Sequence, residues 1–259
     1  MSEERGIPRI GDPAPDFSAV TTLHQDFNFS VWQEQHWVVL FSHPADFTPV
    51  CTTELVAFAQ SNDQFRRRGI KLIGLSVDSI HAHLAWVRNI KEKWGVTIPF
   101  PMVADGEMKV AQLYGMIHPN ASSTATVRAV FVIDPKRTIR AIVYYPLNAG
   151  RNIDEILRLT SALQTTDRYA CATPANWKEG EKVVVPPPKT VEEVEKHAAH
   201  QEWEHKDFYL SLKDLTAKKE EAGKPAPEPS SPVAEASKPA ESPKSENVPP
   251  STPDSSSTP

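Results

Sequence analysis

A short strand that runs into a proline-rich loop and then into a helix constrains this chain more than any other feature. Trp37 to Phe41 is an uninterrupted, β-rich apolar run, which predicts a buried strand. Pro44 and Pro49 end the strand, because neither residue can donate a backbone hydrogen bond. Apolar residues then recur at three- and four-residue steps. The pattern therefore predicts a helix that carries Cys51 in its first turn.

Cys51 has two interpretations. Unpaired backbone N–H groups and the helix dipole favour an anion at a helix N-terminus, so this position favours a reactive thiolate. A free cysteine is otherwise usually a small, buried apolar residue. The neighbours favour the reactive interpretation, since the Thr48 hydroxyl is close enough in sequence to reach the sulfur. Pro44 and Phe47 are expected to shield the site from water, and His43 adds a polar group at the end of the strand.

The segment from Pro44 to Cys51 resembles the Pro-x-x-x-Thr-x-x-Cys motif of peroxiredoxins. The longer string from Phe41 to Leu55 is similar to the one-cysteine subfamily, and the resemblance spans residues 6 to 215. It implies a thiol-dependent peroxidase that reduces hydrogen peroxide and organic hydroperoxides through a sulfenic acid on Cys51. It also implies that Thr48 shares in catalysis, with Pro44 in support, and that an external thiol, glutathione or a thioredoxin-type reductant, reduces the sulfenic acid.

Two arginines complete the candidate site. Arg128 opens an apolar strand, where a guanidinium is costly unless it is paired. It could snorkel to water at the strand's end, but the resemblance implies that it lies beside Cys51 and holds the peroxide oxygens. Arg151 matches a second arginine of the family. The alternative is a helix-start residue that pairs with Asp154 or Glu155.

The alternation of apolar runs with helical patterns predicts an α/β fold, and a closing hairpin predicts a mixed sheet flanked by helices. The resemblance implies a thioredoxin-like fold. We expect a thioredoxin-like peroxidase domain at residues 6–167, a small C-terminal peroxiredoxin domain at 168–222 and a disordered Pro/Ser-rich tail at 223–259. The tail is expected to be inert, with partner binding or phosphorylation as the alternative.

Three local patterns give further expectations. Asp26 to Val31 alternates weakly and predicts a hairpin edge, and Phe208 to Leu212 predicts a short apolar strand. The helix after Ser79 is expected to bury one apolar stripe, formed by Ile80, Leu84, Val87, Ile90 and Trp94.

Four histidines occur in two pairs with spacings that could ligate a metal, His81 with His83 and His197 with His200. Neither pair is accompanied by a cysteine pair, so we interpret all four as solvated surface residues. The expected chemistry requires neither a metal nor any other cofactor. Cys171 is the only other cysteine, and we interpret it as a packed bystander, while a role in resolving the sulfenic acid stays open.

Composition excludes several classes of function. The net charge of -5 and the pI near 6.0 argue against a nucleic-acid partner. No stretch approaches the roughly 18 apolar residues of a membrane span. The acidic N-terminus lacks the features of a signal peptide, so we expect a cytoplasmic protein without a membrane partner.

The resemblance implies a homodimer, which some family members build into a decamer. The competing class is a non-enzymatic thioredoxin-fold scaffold or holdase that recruits partners through its tail.

Overall fold

The computed structural model describes residues 7–215. Residues 1–6 and 216–259 lie outside the described range. The predicted tail at 223–259 and the last residues of the predicted 168–222 domain therefore fall outside it.

Sixteen strands and helices occur between residues 7 and 215. In chain order they are β1 (Ser18–Ala19), β2 (Phe27–Asn28), α1 (Phe29–Gln33), β3 (Trp37–Ser42), α2 (Pro49–Arg67), β4 (Ile70–Ser76), α3 (Ile80–Trp94), β5 (Met102–Ala104), α4 (Lys109–Leu113), β6 (Arg128–Ile133), β7 (Ile139–Tyr145), α5 (Ile153–Tyr169), β8 (Val183–Val184), α6 (Val191–Ala198), β9 (Glu204–Asp207) and β10 (Leu210–Lys213). None of the helices in this range is long and apolar enough to cross a membrane.

A five-stranded sheet in the order β5–β4–β3–β6–β7 forms the centre of the fold. β3 pairs in parallel with β4 and antiparallel with β6, while β7 pairs antiparallel with β6 at one edge. The sheet is therefore mixed. Helices flank it, which confirms the predicted α/β, thioredoxin-like architecture.

Both faces of the sheet are covered by apolar residues. Successive side chains of β3 point to opposite faces, as a strand requires: Val39 and Phe41 pack with α2, α3 and α5, whereas Val38 and Leu40 pack with α1 and α4. Every residue of β3 is buried. The strand that leads to Cys51 is therefore held in the middle of the sheet.

Two local expectations are only partly correct. Phe27 and Asn28 form part of the predicted hairpin edge, since β2 pairs antiparallel with β1. The strand does not continue to Val31, because the Asn28 side chain accepts a hydrogen bond from the Val31 N–H and starts α1 there. The predicted stripe of α3 is also displaced. Leu84 and Trp94 are 48% and 53% exposed, and the buried face carries His83, Trp86 and Ile90.

A small antiparallel sheet in the order β8–β10–β9 forms the C-terminal part of the described chain. Trp177 and Val183 pack there against Ala162 of α5. The predicted strand from Phe208 starts later, at Leu210, because Phe208 and Tyr209 are exposed turn residues between β9 and β10.

Candidate active site

Cys51 lies in the first turn of α2, as the sequence predicts. Thr48 is the N-cap in an extended conformation, and Pro49 occupies the first helical position, where its missing N–H costs nothing. Cys51 is buried, with 1% of its surface exposed. Phe47, before the cap, has a φ of 56°, a left-handed conformation that a bulky residue rarely adopts. The loop therefore bends sharply before the helix, and Phe47 itself stays 54% exposed rather than covering the site.

Arg128 lies directly beside Cys51. It opens β6 and is 2% exposed, so the snorkelling alternative is wrong. Its Nη1 lies 3.3 Å from the Cys51 Sγ and also donates to Glu54 Oε2 at 2.7 Å. Its Nε and Nη2 donate to the Leu147 carbonyl at 3.0 and 2.6 Å. The guanidinium is thus satisfied in the interior, with one donor directed at the sulfur.

Glu54 is the residue that sequence reasoning missed. It follows Cys51 by three residues in α2, so it lies on the same face of the helix, and it is only 4% exposed. Burial by itself raises the pKa of Glu54, but the charge and hydrogen bonds of Arg151, with the charge of Arg128, hold that pKa below its ordinary value. A carboxylate on the buried face of a predicted helix, one turn after the cysteine, was the available signal.

Arg151 joins the same cluster from the chain before α5. Its backbone N–H and Nε donate to Glu54 Oε1 at 2.8 and 2.9 Å, and its Nη2 donates to Glu54 Oε2 at 2.7 Å. Its Nη1 donates to the carbonyls of Ser42 and Ala129 at 2.8 and 3.0 Å. The alternative pairing with Asp154 or Glu155 is wrong.

Apolar rings cover the Arg151 end of this cluster. The guanidinium carbon lies 5.2 Å from the ring centre of Phe41 and 5.6 Å from that of Phe58. Arg128, Arg151 and Glu54 together carry two positive charges and one negative charge. One positive charge is therefore left over in a buried site that contacts the Cys51 sulfur through Arg128.

The remaining predicted residues lie in the loop between β3 and α2. The Thr48 hydroxyl donates to the Ala45 carbonyl at 2.9 Å, so its hydrogen is committed to the loop. Pro44 is half-buried. His43 follows the end of β3, is 2% exposed, and its Nε2 lies 2.8 Å from Asp46 Oδ1. Burial lowers the pKa of His43 and outweighs the opposing effect of Asp46.

For the histidine pair in α3, the interpretation as solvated surface residues is correct for only one of the two. His81 is exposed, as predicted, but His83 is fully buried. It was missed because its partners are distant in sequence: Nδ1 lies 2.7 Å from Asp46 Oδ2 and Nε2 lies 3.1 Å from the Val103 carbonyl. Of the other pair, His200 is exposed and His197 is half-buried against the Trp203 ring.

Cys171 has different surroundings. Both cysteines are free thiols. Cys171 is partly buried beside the Trp177 and Val183 cluster, and its sulfur contacts the Thr165 carbonyl at 3.8 Å. Burial raises the pKa of the Cys171 thiol, only partly offset by the charge of Lys213. This sulfur therefore favours the protonated form.

Comparison with known proteins gives a consistent result. Residues 10–142 match the model of the AhpC/TSA family, and residues 162–199 match the C-terminal domain of 1-Cys peroxiredoxin. The chain is 54% identical to a peroxiredoxin of Aquifex aeolicus over 81% of this chain and 98% of the relative. It is 47% identical to a peroxiredoxin of Methanosarcina mazei over 82% of this chain and 100% of the relative.

Solved structures agree with the sequence matches. A yeast mitochondrial 1-Cys peroxiredoxin superimposes with a TM-score of 0.73 at 43% identity, over 80% of this chain and all of that one. A cysteine-to-serine mutant of the peroxiredoxin 6 of Arenicola marina gives 0.73 at 38% identity, over 81% of this chain and 98% of that one. The chain belongs to the AhpC/TSA family and, within it, to the one-cysteine peroxiredoxins, which are thiol-dependent peroxidases.

Proposed function

We propose that Cys51 is the nucleophile of this peroxidase and that its substrates are hydrogen peroxide and organic hydroperoxides. The observation that carries the proposal is the contact of 3.3 Å between Arg128 Nη1 and the Cys51 sulfur. The cluster behind that contact holds one positive charge more than Glu54 neutralises. A buried thiolate at Cys51 balances this charge, and the thiolate is the nucleophilic form of cysteine.

The reaction balances with the groups at hand. The Cys51 thiolate attacks one oxygen of the hydroperoxide, a sulfur–oxygen bond forms and the O–O bond breaks. The second oxygen takes up a proton from solvent and leaves as water or as an alcohol. Sulfur is oxidised to the sulfenic acid and the peroxide is reduced. Arg128 stabilises the charge that develops on the oxygens, because its donors are already oriented and need no reorganisation.

The neighbouring residues support this step. Thr48 binds a peroxide oxygen. To do so, its hydroxyl gives up the hydrogen bond to the Ala45 carbonyl and donates to the substrate instead. Arg151 binds both oxygens of Glu54, and through Glu54 it fixes the position of Arg128. Pro44 limits the access of water. His43 supports the loop that carries Thr48.

An external thiol completes the cycle. The first thiol condenses with the Cys51 sulfenic acid and releases water, and a second thiol reduces the resulting mixed disulfide. Cys171 is a poor candidate for the first step, since its raised pKa keeps it protonated. The yeast relative's thiol resolution is described as running via glutathione/thioredoxin systems. Glutathione or a thioredoxin-type protein is accordingly the proposed reductant.

We propose a homodimer, which in some relatives is built further into a decamer. β7 is an edge strand of the central sheet, and within residues 7–215 it pairs only with β6. An unpaired edge of this kind can pair with a second copy. A cytoplasmic location remains a proposal.

The scaffold alternative is not favoured. A binding scaffold does not require two guanidinium groups to be buried around a cysteine, and such burial is costly unless it serves a purpose. The family match points to the enzyme as well.

The test follows the fate of each sulfur. The wild-type protein and the Cys171→Ser variant are treated with one equivalent of hydrogen peroxide in the presence of a sulfenic-acid trap, and the products are located by mass spectrometry. We expect the adduct on Cys51 in both proteins, and turnover in both when glutathione or thioredoxin is supplied. A Cys51–Cys171 disulfide in the wild type would replace the external thiol, whereas an unmodified Cys51 would contradict the proposed nucleophile.

A further inference from the structure

A second buried polar cluster lies beside the active-site loop. It is formed by His43, which follows β3, by Asp46 of the loop and by His83 of α3, and these residues are 2%, 8% and 0% exposed. The two Asp46 oxygens are shared between the histidines, with Oδ1 2.8 Å from His43 Nε2 and Oδ2 2.7 Å from His83 Nδ1. His83 Nε2 lies 3.1 Å from the Val103 carbonyl. The cluster thus contains three hydrogen bonds in a row.

The partners determine where the protons are. The Val103 carbonyl can only accept, so His83 Nε2 carries a hydrogen. One proton lies between His83 Nδ1 and Asp46, and one lies between His43 Nε2 and Asp46. The proton between His83 Nδ1 and Asp46 can lie closer to either atom, and the total number of protons in the cluster is the same in both cases. Three hydrogen bonds require three protons, and these leave His43 Nδ1 without one.

A fourth proton would be costly. It would occupy His43 Nδ1, which is buried and has no hydrogen-bond partner among the described residues. The imidazolium that this creates would face the charges of His83 and of Arg151, which both oppose it, while Asp46 favours it. The other ring neighbour is Trp86, whose centroid lies 5.2 Å away and which carries no charge. Burial of His43 also disfavours the imidazolium.

The same three residues have the composition of a metal site, since their ligand atoms lie within 4.8 Å of one another. Their spacing fits hydrogen bonds instead. A tetrahedral zinc site with bonds of about 2.0–2.1 Å places its ligand atoms about 3.3 Å apart, whereas the two N···O distances to Asp46 are 2.7 and 2.8 Å. The distances within the cluster therefore correspond to shared protons rather than to ligands around a metal ion.

We propose that His83 is a positioning residue which, through Asp46, keeps His43 neutral with a bare Nδ1 in the active-site loop. The proposal rests on the proposed function, because it assigns His43 the part of a fixed acceptor beside the peroxidase centre. His83 acts by sharing its proton with Asp46, so that the full carboxylate charge never faces His43 alone. A purely structural His83 would fill space and have no effect on the protonation of His43.

A variant that cannot share a proton with Asp46 should have the opposite state of His43, a protonated one. In His83→Gln the amide can still donate to Asp46 but cannot share a proton with it. Asp46 then remains a full carboxylate whose charge favours a proton on His43. We expect His43 to take up that proton near neutral pH and the rate of Cys51 oxidation to acquire a new inflection between about pH 5 and 8.

The experiment uses the full chain labelled with ¹⁵N-histidine. Nitrogen NMR distinguishes a bare imidazole nitrogen from a protonated one, so the His43 tautomer is read directly in the wild type. We expect Nε2 protonated and Nδ1 bare throughout this pH range. A protonated Nδ1 at pH 7 would overturn the proposal even if no variant folds, and the reading does not depend on whether Cys51 reacts with peroxide.

The variant arm compares His83→Gln with His81→Gln, an exposed histidine of the same helix. The proposal expects a protonated His43 Nδ1 and the new inflection only in His83→Gln. Identical spectra and pH profiles in both variants would overturn it. So would one zinc ion bound per chain after incubation with zinc and lost in His83→Gln. Failure of the peroxidase itself would show separately, as slow oxidation of Cys51 in every protein.

Discussion

Cys51 and Cys171 lie in two regions that differ in the charges and hydrogen bonds around the sulfur atom. Cys51 lies in the first turn of a long helix, is 1% exposed and receives a hydrogen bond from Arg128 in a cluster with excess positive charge. Cys171 follows the end of α5, is partly buried beside Trp177 and has a raised pKa. Cys51 is the more deeply buried of the two, so burial by itself does not explain why Cys51 is the residue expected to react. The difference is whether burial comes with a paired cation.

The two regions also differ in the free-energy cost of burying charged groups. Around Cys51, two arginines and Glu54 are removed from water, and both arginines donate hydrogen bonds to Glu54. Around Cys171 the packed side chains are mostly apolar, and the charge of Lys213 only partly offsets the effect of burial. The first region should thus be sensitive to single charge changes, and the second should not.

Glu54→Gln is expected to have the largest effect. It leaves Arg128 and Arg151 without their shared carboxylate in the interior, which typically costs about 3–5 kcal/mol of unfolding free energy. The control is Glu155→Gln, whose partly exposed pair with Arg158 is worth about 0–1 kcal/mol. Urea unfolding of both variants measures the difference, and equal losses would show that the cluster is not a buried network.

Arg128→Met is expected to slow Cys51 oxidation by roughly 10²–10³-fold, the usual effect of losing one oriented donor at a reacting centre. Glu54 keeps its pairing with Arg151 in this variant, so the fold should persist. Arg140→Met serves as the control, because Arg140 lies on the neighbouring strand β7 and forms a partly exposed pair with Asp167 of α5. Stopped-flow oxidation with hydrogen peroxide gives both rates, and a loss of less than about threefold in Arg128→Met would contradict the assigned role.

The stability of the protein should also depend on pH through Glu54. The pKa of Glu54 is below its ordinary 4.5 in the folded protein. The stability that Glu54 contributes is therefore fully present above pH 4.5 and is lost as the pH falls through the folded pKa. The difference in unfolding free energy between wild type and Glu54→Gln should shrink on acidification. A difference that stays constant down to about pH 3 would be inconsistent with an ionised, paired Glu54.

Cys171 should show the smallest effects. Its raised pKa leaves little thiolate near neutral pH, so alkylation of Cys171 in Cys51→Ser should be slower in the folded protein than in the same protein unfolded by urea. Rates of iodoacetamide labelling followed by mass spectrometry test this directly. Faster labelling in the folded state would show that Cys171 is activated.

The sequence predicted the parts of the site that are local. The proline-rich loop fixes Thr48 at the cap and Cys51 in the first turn of α2, because these constraints act between residues a few positions apart. The cost of a guanidinium in an apolar strand singled out Arg128, whereas its place beside Cys51 came from the resemblance to peroxiredoxins. The mixed sheet followed from the order of strands and helices.

The parts that were missed depend on contacts between distant segments. Glu54 is stabilised by arginines 74 and 97 residues away in the chain. His83 is buried because Asp46 and Val103 satisfy both of its nitrogens, and its burial turns α3 so that Leu84 faces solvent. Hydrophobic periodicity cannot reveal a polar residue whose partners come from other elements.

The most direct test of this account is stopped-flow oxidation by hydrogen peroxide of the wild type, Cys51→Ser and Cys171→Ser. We predict rapid oxidation at equal rates in wild type and Cys171→Ser, and no such phase in Cys51→Ser. Slow oxidation of all three proteins, or loss of the rapid phase in Cys171→Ser, would contradict the assignment of Cys51 as the peroxide-reactive thiolate.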